Sequence, residues 1–183
     1  MRVSHTPESL ACREYYDEWL HMLDAVPSEN SSPGLQVLMF TLDGHYFGFL
    51  TSVLRKVMKP RTIYPIPNNH KDFIVGLVKA NRKLQLAVDL AYFMLNKKTS
   101  KQHANEVFLF LEQEKEGFIL PVNTIIGIQS FVPEQLKPVD ASSQALYLGK
   151  LMHEKNTVSL INHHHFFKTL DKLLESSPLH CGI

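Results

Sequence analysis

The sequence predicts a mainly β protein built from two related small barrels, with one helix ahead of them and one behind. Three observations predict it. From residue 35 onward, short apolar runs are separated by brief polar turns, the spacing of small barrels rather than of helical layers. The order of those runs repeats once, at a fixed offset. Hydrophobic residues make up 44% of the 183 and charged residues 20%, enough apolar surface for a core and too much for a disordered or fibrous chain. A chain of this length hides roughly 70% of its unfolded surface on folding, so it needs no staple. Its two cysteines, Cys12 and Cys181, lie near opposite ends without CxxC spacing, which implies neither a zinc site nor a disulfide framework. No run approaches the length of a membrane span and Met1–His5 opens no apolar leader, so the chain reads as a cytoplasmic protein without direct membrane insertion.

Residues 1–34 read as a helical extension and linker. Thr6 can cap a helix, Pro7 suits its first position and Glu8 faces the positive end of its dipole. Cys12, Tyr16, Trp19, Leu20 and Leu23 then form one apolar stripe as far as Val26. A stripe carrying the single tryptophan must be buried, either on the chain's own body or in a partner's groove. Residues 27–34 are polar and rich in Pro, Ser and Gly, a linker.

Residues 35–176 read as the main domain, with a first barrel over about 35–100, a second over about 105–165 and a C-terminal helix over about 163–176. Leu35–Leu42 and His45–Leu50 flank Asp43-Gly44, a pair that tolerates the positive φ of a two-residue hairpin turn. Phe73–Ala80 and Leu84–Leu90 flank Asn81-Arg82-Lys83. Val107–Glu112 and Phe118–Val122 flank a polar turn at 113–117, and Gln144–Met152 and Thr157–Ile161 flank His153–Asn156. Pro65 and Pro67 demote Ile63–Ile66 to an edge or a connection. Ala91–Leu95 and Phe166–Leu174 are apolar stretches of helical character, the second capped from near Asn162.

The second pair of hairpins restates the first. Gly44 and Gly117 lie 73 residues apart, as do Val53 and Ile126, Gly76 and Gly149, and Asp89 and Asn162. Strand phase does not match throughout, since Phe40 falls on Gln113, which predicts turns of unequal length. Each half has about five strands, too few for a core alone, so the halves must pack together.

Charge sharpens the picture. Nineteen Lys and Arg nearly cancel 18 Asp and Glu, which argues against a general polyanion partner such as nucleic acid. The sum hides opposed segments. Residues 1–30 hold two cations against six anions, and residues 51–101 hold eleven cations against two anions. That distribution reads either as a basic docking face or as solvated strands and loops. Nothing resembles an active site. His163-His164-His165 cannot share one ion from adjacent helical positions and reads as a solvated helix start, and Asp89 has no nucleophile or histidine partner and reads as a cap. Gly44–Gly48 lacks the Lys-Ser/Thr of a phosphate loop.

The segment Phe40–Val53, then Ile66-Pro67 with Phe73–Val78 and Ala87-Val88-Asp89-Leu90, resembles the first half of a CheW-like domain, the coupling module of chemotaxis. Gly117–Val122, Ile125–Ile128, Gly149 and Val158–Asn162 are similar to its second half. The resemblance covers roughly residues 35–176. It implies two intertwined SH3-like five-stranded β-barrels around a shared core, no catalysis and no cofactor. It also implies an adaptor that bridges the signalling tips of chemoreceptors to the regulatory domain of the CheA-type histidine kinase, in a chemotaxis or type IV pilus-type array.

The same resemblance points to Val53, Arg55, Gly76, Asn81 and Arg82 as interaction residues, with Trp19 added from the N-terminal stripe. The family commonly reads G-x-x-N-x-R-G in the second hairpin. After Gly76 this chain places Asn81 where the arginine is expected and Arg82 where the glycine is expected. An arginine takes up a glycine's positive φ only with strain. Arg55-Lys56 stand where many members have an acid, and Asn162 replaces a common Asp. Together these departures predict a more basic groove and an altered docking of the receptor tip. A scaffold or localisation protein, binding other partners through the N-terminal helix and the basic first barrel, is the second reading.

Overall fold

Residues 34–97, 107–113, 116–143 and 145–176 are described by the computed structural model; the helix expected at 6–26, with Trp19, and the linker behind it lie outside them. The first hairpin forms where Asp43-Gly44 predicts it. Strands β1 (Leu35–Leu42) and β2 (His45–Leu50) pair antiparallel, and both turn residues take positive φ, +48° and +79°. A single 3₁₀ turn, Thr51–Val53, leads into β3 (Leu54–Met58), and two-residue β4 (Ile63–Tyr64) follows. Then come β5 (Ile74–Ala80), β6 (Lys83–Val88) and helix α1 (Leu90–Leu95). Next are β7 (Val107–Gln113), β8 (Glu116–Val122) and β9 (Thr124–Phe131). The chain ends in β10 (Tyr147–His153), β11 (Asn156–Ile161) and helix α2 (His163–Glu175). β3 and β9 are the strands that the sequence reading missed. β3 carries Arg55 and Lys56, which break an apolar run, and β9 follows β8 with only Asn123 between them.

The strands form two sheets that do not coincide with the two halves of the sequence. Sheet I runs β10-β11-β2-β1-β9, and sheet II runs β3-β7-β8-β6-β5-β4. Each half therefore gives its first hairpin to the other half's sheet. This corrects the expectation of a first barrel over 35–100 and a second over 105–165. The exchange is made by very short connections, the 3₁₀ turn after β2 and the lone Asn123 after β8, which carry the chain straight from one sheet into the other. Each donated hairpin is held by a parallel pairing, β2 with β11 and β8 with β6.

Register exposes the internal repeat and corrects its offset. Phe40 pairs with Phe47 and Ile125, just as Leu111 pairs with Phe118 and Leu54, so equivalent positions here are 71 apart. From β5 onward they are 73 apart. Ile74 and Gly76 flank a bulge against β6 as Tyr147 and Gly149 do against β11, and Asp89 and Asn162 cap α1 and α2. The change arises because Met58 to Ile63 spans five residues where Gln129 to Leu136 spans seven. Gly76/Gly149 and Asp89/Asn162 are thus true equivalents, whereas Ile126 answers to Arg55 and not to Val53. At the 71-residue offset Phe40 meets Leu111, both fully buried, and the apparent mismatch of strand phase disappears.

Alternation along β1 and β7 feeds three cores. Leu38, Phe40, Leu42, Leu109 and Leu111 join Phe49, Phe118, Val88 and Ile161 in a central cluster between the sheets, which Leu90, Met94, Phe166 and Leu170 of the helices complete. Val37 and Met39 point the other way, into a cluster with Leu151, Val158 and Leu160 inside sheet I. Phe108 and Phe110 likewise join Met58, Val78, Ala87 and Ile119 inside sheet II. β1 and β7 are buried on both faces, which explains their nearly unbroken apolar sequence. α1 and α2 meet through Phe93 and Phe166, edge to face at 5.1 Å.

Candidate docking surface

Five of the six predicted interaction residues fall in or beside sheet II. Val53 closes the 3₁₀ turn and packs, half-buried, on the central cluster. Arg55 is the extra residue of a bulge in β3, and its Nε lies 3.3 Å from Glu112 Oε2 on β7. That ion pair is largely exposed and contributes little to stability, but it occupies the guanidinium. Gly76 is buried at the bulge in β5 with φ +153°. A Cβ there would stand 2.5 Å from the Tyr64 carbonyl oxygen and 2.7 Å from Ile63 Cγ2, so only glycine admits β4. Its equivalent, Gly149, is overlain in the same way by Leu136 and the Lys137 carbonyl.

Asn81 and Arg82 form a two-residue turn between Ala80 and Lys83, one residue shorter than the sequence suggested. Both take positive φ, +49° and +64°. This is the handedness that a tight hairpin requires; asparagine tolerates it and arginine does so under strain. Followed across the sheet, the register sets Leu54 level with Leu86 and Leu77, and Lys56 level with Ala87 and Gly76, so the bulged Arg55 shares its level with Gly76. The Asn81-Arg82 turn lies further along, beyond the Ala80–Lys83 pair at the tip of the β5–β6 hairpin.

Other ionisable groups are used structurally. Asp89 is buried, and its Oδ1 accepts from the Ala91 backbone N–H at 3.0 Å, the cap the sequence predicted. Asn162 does the same for α2 through the His165 N–H at 3.3 Å. His163, read from the sequence as part of a solvated helix start, is instead only 8% exposed, and its Nδ1 has no partner among the described residues. Burial and, secondarily, neighbouring His164 lower its pKa. Lys71 Nζ donates to the last carbonyls of α2, those of Leu173 and Leu174, tying the loop before β5 to the negative end of the helix dipole. Lys97 pairs with Asp43 at 3.1 Å, and the Asp43 N–H donates to Asn123 Oδ1 at 2.7 Å, locking the first hairpin turn to the β8–β9 connection. The Tyr147 hydroxyl donates to the Met94 carbonyl at 3.3 Å, and burial raises its pKa.

The sequence reading missed a set of exposed apolar side chains on β4 and β6, Tyr64 at 50% and Leu84 at 59% exposure. Leu84 alternates with Leu86 about Gln85, a pattern that could have marked an outward apolar face.

Two sheets that exchange hairpins, enclose a shared core and present loops and strand faces define a protein-docking module of the CheW type. The family model for the CheW-like domain matches residues 36–169, and the chain belongs to that family. Its members are scaffolds and adaptors of chemotaxis signalling. Among solved structures the chain is similar to the scaffolding protein TtCheW from Thermoanaerobacter tengcongensis, with TM-score 0.64 and 16% identity over 75% of this chain and 90% of that one, a likeness of fold. No curated protein matches. No described helix is long and apolar enough to cross a membrane.

Proposed function

We propose that this chain is an adaptor that couples chemoreceptor tips to the regulatory domain of a CheA-type histidine kinase by protein–protein docking, without catalysing a reaction. The observation that carries the reading is the CheW-like match running from β1 into α2, across both sheets and both helices. Docking of this kind draws on apolar strand faces and loops. The test is a pull-down of the full chain against the cognate kinase regulatory domain and receptor tip. Binding to at least one is expected, and binding to neither overturns the reading.

A second reading, a scaffold that holds other partners, is favoured by Arg82 in the position of the family's glycine and by the Arg55–Glu112 pair where an acid is common. Restoring the family pattern with Asn81→Arg and Arg82→Gly strengthens receptor association under the adaptor reading. Deleting residues 1–33 leaves kinase and receptor binding intact under the adaptor reading and abolishes partner capture under the other.

A further inference from the structure

The two sheets follow one plan, so each is a control for the other. In sheet II a row of directly paired residues runs Leu54, Leu111, Phe118, Leu86, Leu77, Tyr64 across six strands. Paired residues project from the same face. The first four pack on the central cluster; Leu77 and Tyr64 continue beyond it toward solvent. Leu84 lies two residues before Leu86 on that face and pairs with Lys79.

The equivalent row of sheet I runs Ile125, Phe40, Phe47, Ser159, Lys150, Lys137. Its inner half is apolar like that of sheet II, but its outer half is polar. Thr157 stands where sheet II has Leu84, and its partner Met152, itself exposed, stands where sheet II has Lys79. The architecture therefore does not require the leucines and the tyrosine at the edge of sheet II.

We infer that the outer face of β4–β5–β6 is a docking surface for an acidic amphipathic helix of a partner protein. Charge selects the sign. Lys79 stands on the face, the Arg61 guanidinium donates to the Lys79 carbonyl at 3.4 Å, and Arg82 and Lys83 close the hairpin tip. None of these four cations holds an ion pair among the described residues. The one acid in register with Leu84 is Glu116, at the start of β8. Width selects a helix: three strands span two spacings, about 10 Å, which one helix of about 10 Å diameter covers. Strand addition at the edge is blocked, because β4 has two residues and is flanked by Pro60, Pro65 and Pro67. A second copy facing the same patch would set Lys79 and Arg61 against their own counterparts, a like-charge contact that disfavours self-association. The inference shares Arg82 with the adaptor reading but is carried by the contrast between the two sheets, and its test by peptide titration can fail or succeed independently of the kinase and receptor pull-down.

The test titrates the full chain into a fluorescein-labelled helical peptide of Glu, Ala and Leu, with leucines along one face. Saturable binding is expected in fluorescence anisotropy, at least tenfold weaker for Leu77→Lys and for Tyr64→Lys, each of which adopts the sheet I residue. A peptide with Gln for Glu also binds at least tenfold more weakly, while Lys150→Met on sheet I leaves binding unchanged. Methyl NMR of the wild-type chain reads the site without substitution, with the peptide shifting Leu77 and Leu84. Unmoved Leu77 and Leu84 methyls, equal binding of the Gln peptide, or undiminished binding by folded Leu77→Lys would each overturn the proposal. So would capture by phosphatidylserine vesicles without peptide binding, or a dimer of the wild-type chain that Leu77→Lys dissolves.

Discussion

Gly76→Ala offers the sharpest test of how this fold uses its candidate site. The new Cβ would stand 2.5 Å from the Tyr64 carbonyl oxygen, where ordinary contact begins at 3.4 Å, so backbone must move by about 0.9 Å. That carbonyl belongs to β4, which is held to β5 only through Ile63–Val78 and Tyr64–Leu77. Overpacking of this kind costs roughly 1–3 kcal/mol. The φ of +153° adds about 1 kcal/mol or more, partly offset by the smaller unfolded-state entropy of alanine. A net loss of about 3 kcal/mol lowers Tm by roughly 6–12 °C for a chain of this size. Gly127 is the internal control, since it has φ +154° but nothing within 4 Å of the place an added Cβ would take. Gly127→Ala therefore reads backbone strain alone, near 1 kcal/mol. Urea titrations of both variants isolate the steric part, expected at about 2 kcal/mol. Equal losses for the two variants would refute the close-approach account. Partner binding by Gly76→Ala should fall only as its folded fraction falls, which separates a glycine needed by the fold from one touched by a partner.

Arg82→Gly relieves a left-handed arginine and should raise stability by about 0.5 kcal/mol, the strain relieved exceeding the entropy that glycine adds to the unfolded chain; a lower urea midpoint would contradict it. Asp89→Ala removes the shorter and more deeply buried of the two caps and should cost about 1–2 kcal/mol, more than Asn162→Ala, by the same titration. Lys71→Met should weaken the anchoring of α2 by about 1 kcal/mol, with amide exchange quickening first near Leu173. His163 titrates below the ordinary value near 6.5 because of burial and His164, so the unfolded chain takes up that proton more readily than the folded one. Its contribution to stability is complete above about pH 6.5 and is lost as pH falls below it. In His163→Leu the urea midpoint should fall less steeply on acidification, and an unchanged slope would exclude His163 as its source.

The four hairpins were legible because their signals are local. Asp43-Gly44 names its own turn, and alternating apolar runs bounded by polar turns mark strands whatever they pair with. The exchange of hairpins between sheets was not legible, since Phe47 beside Ser159 and Phe118 beside Leu86 are pairings across long stretches of sequence that no local pattern encodes. The repeat was half legible. Gly76/Gly149 and Asp89/Asn162 occupy demanding backbone positions and kept their residue types, whereas Arg55 and Ile126 share a bulge that any side chain can fill, so their equivalence shows only in the register. His163 escaped for a different reason: read together with His164 and His165 it passes for one polar cluster, although Phe166, Phe167 and Leu170, three, four and seven residues on, place it on the buried face of α2.

The near-cancelled net charge acquires a physical meaning once its cations are placed. Of the basic residues between 51 and 101, Arg55 is matched by Glu112, Lys97 by Asp43 and Lys71 by the carbonyl end of α2. These cations hold strand, turn and helix to one another and add little external field. Arg61, Lys79, Arg82 and Lys83 are different, for they cluster around β4–β5–β6, beside Leu77, Tyr64 and Leu84, which the sister sheet replaces with two lysines and a threonine. A basic rim around exposed leucines gives both terms of a selective interface: burial supplies affinity, and the surrounding charge restricts which partner can bury there. Excess charge spread over the whole chain would have attracted polyanions indiscriminately. Confined to one sheet edge in an otherwise balanced chain, the same four cations favour a partner that brings acidic and apolar groups together.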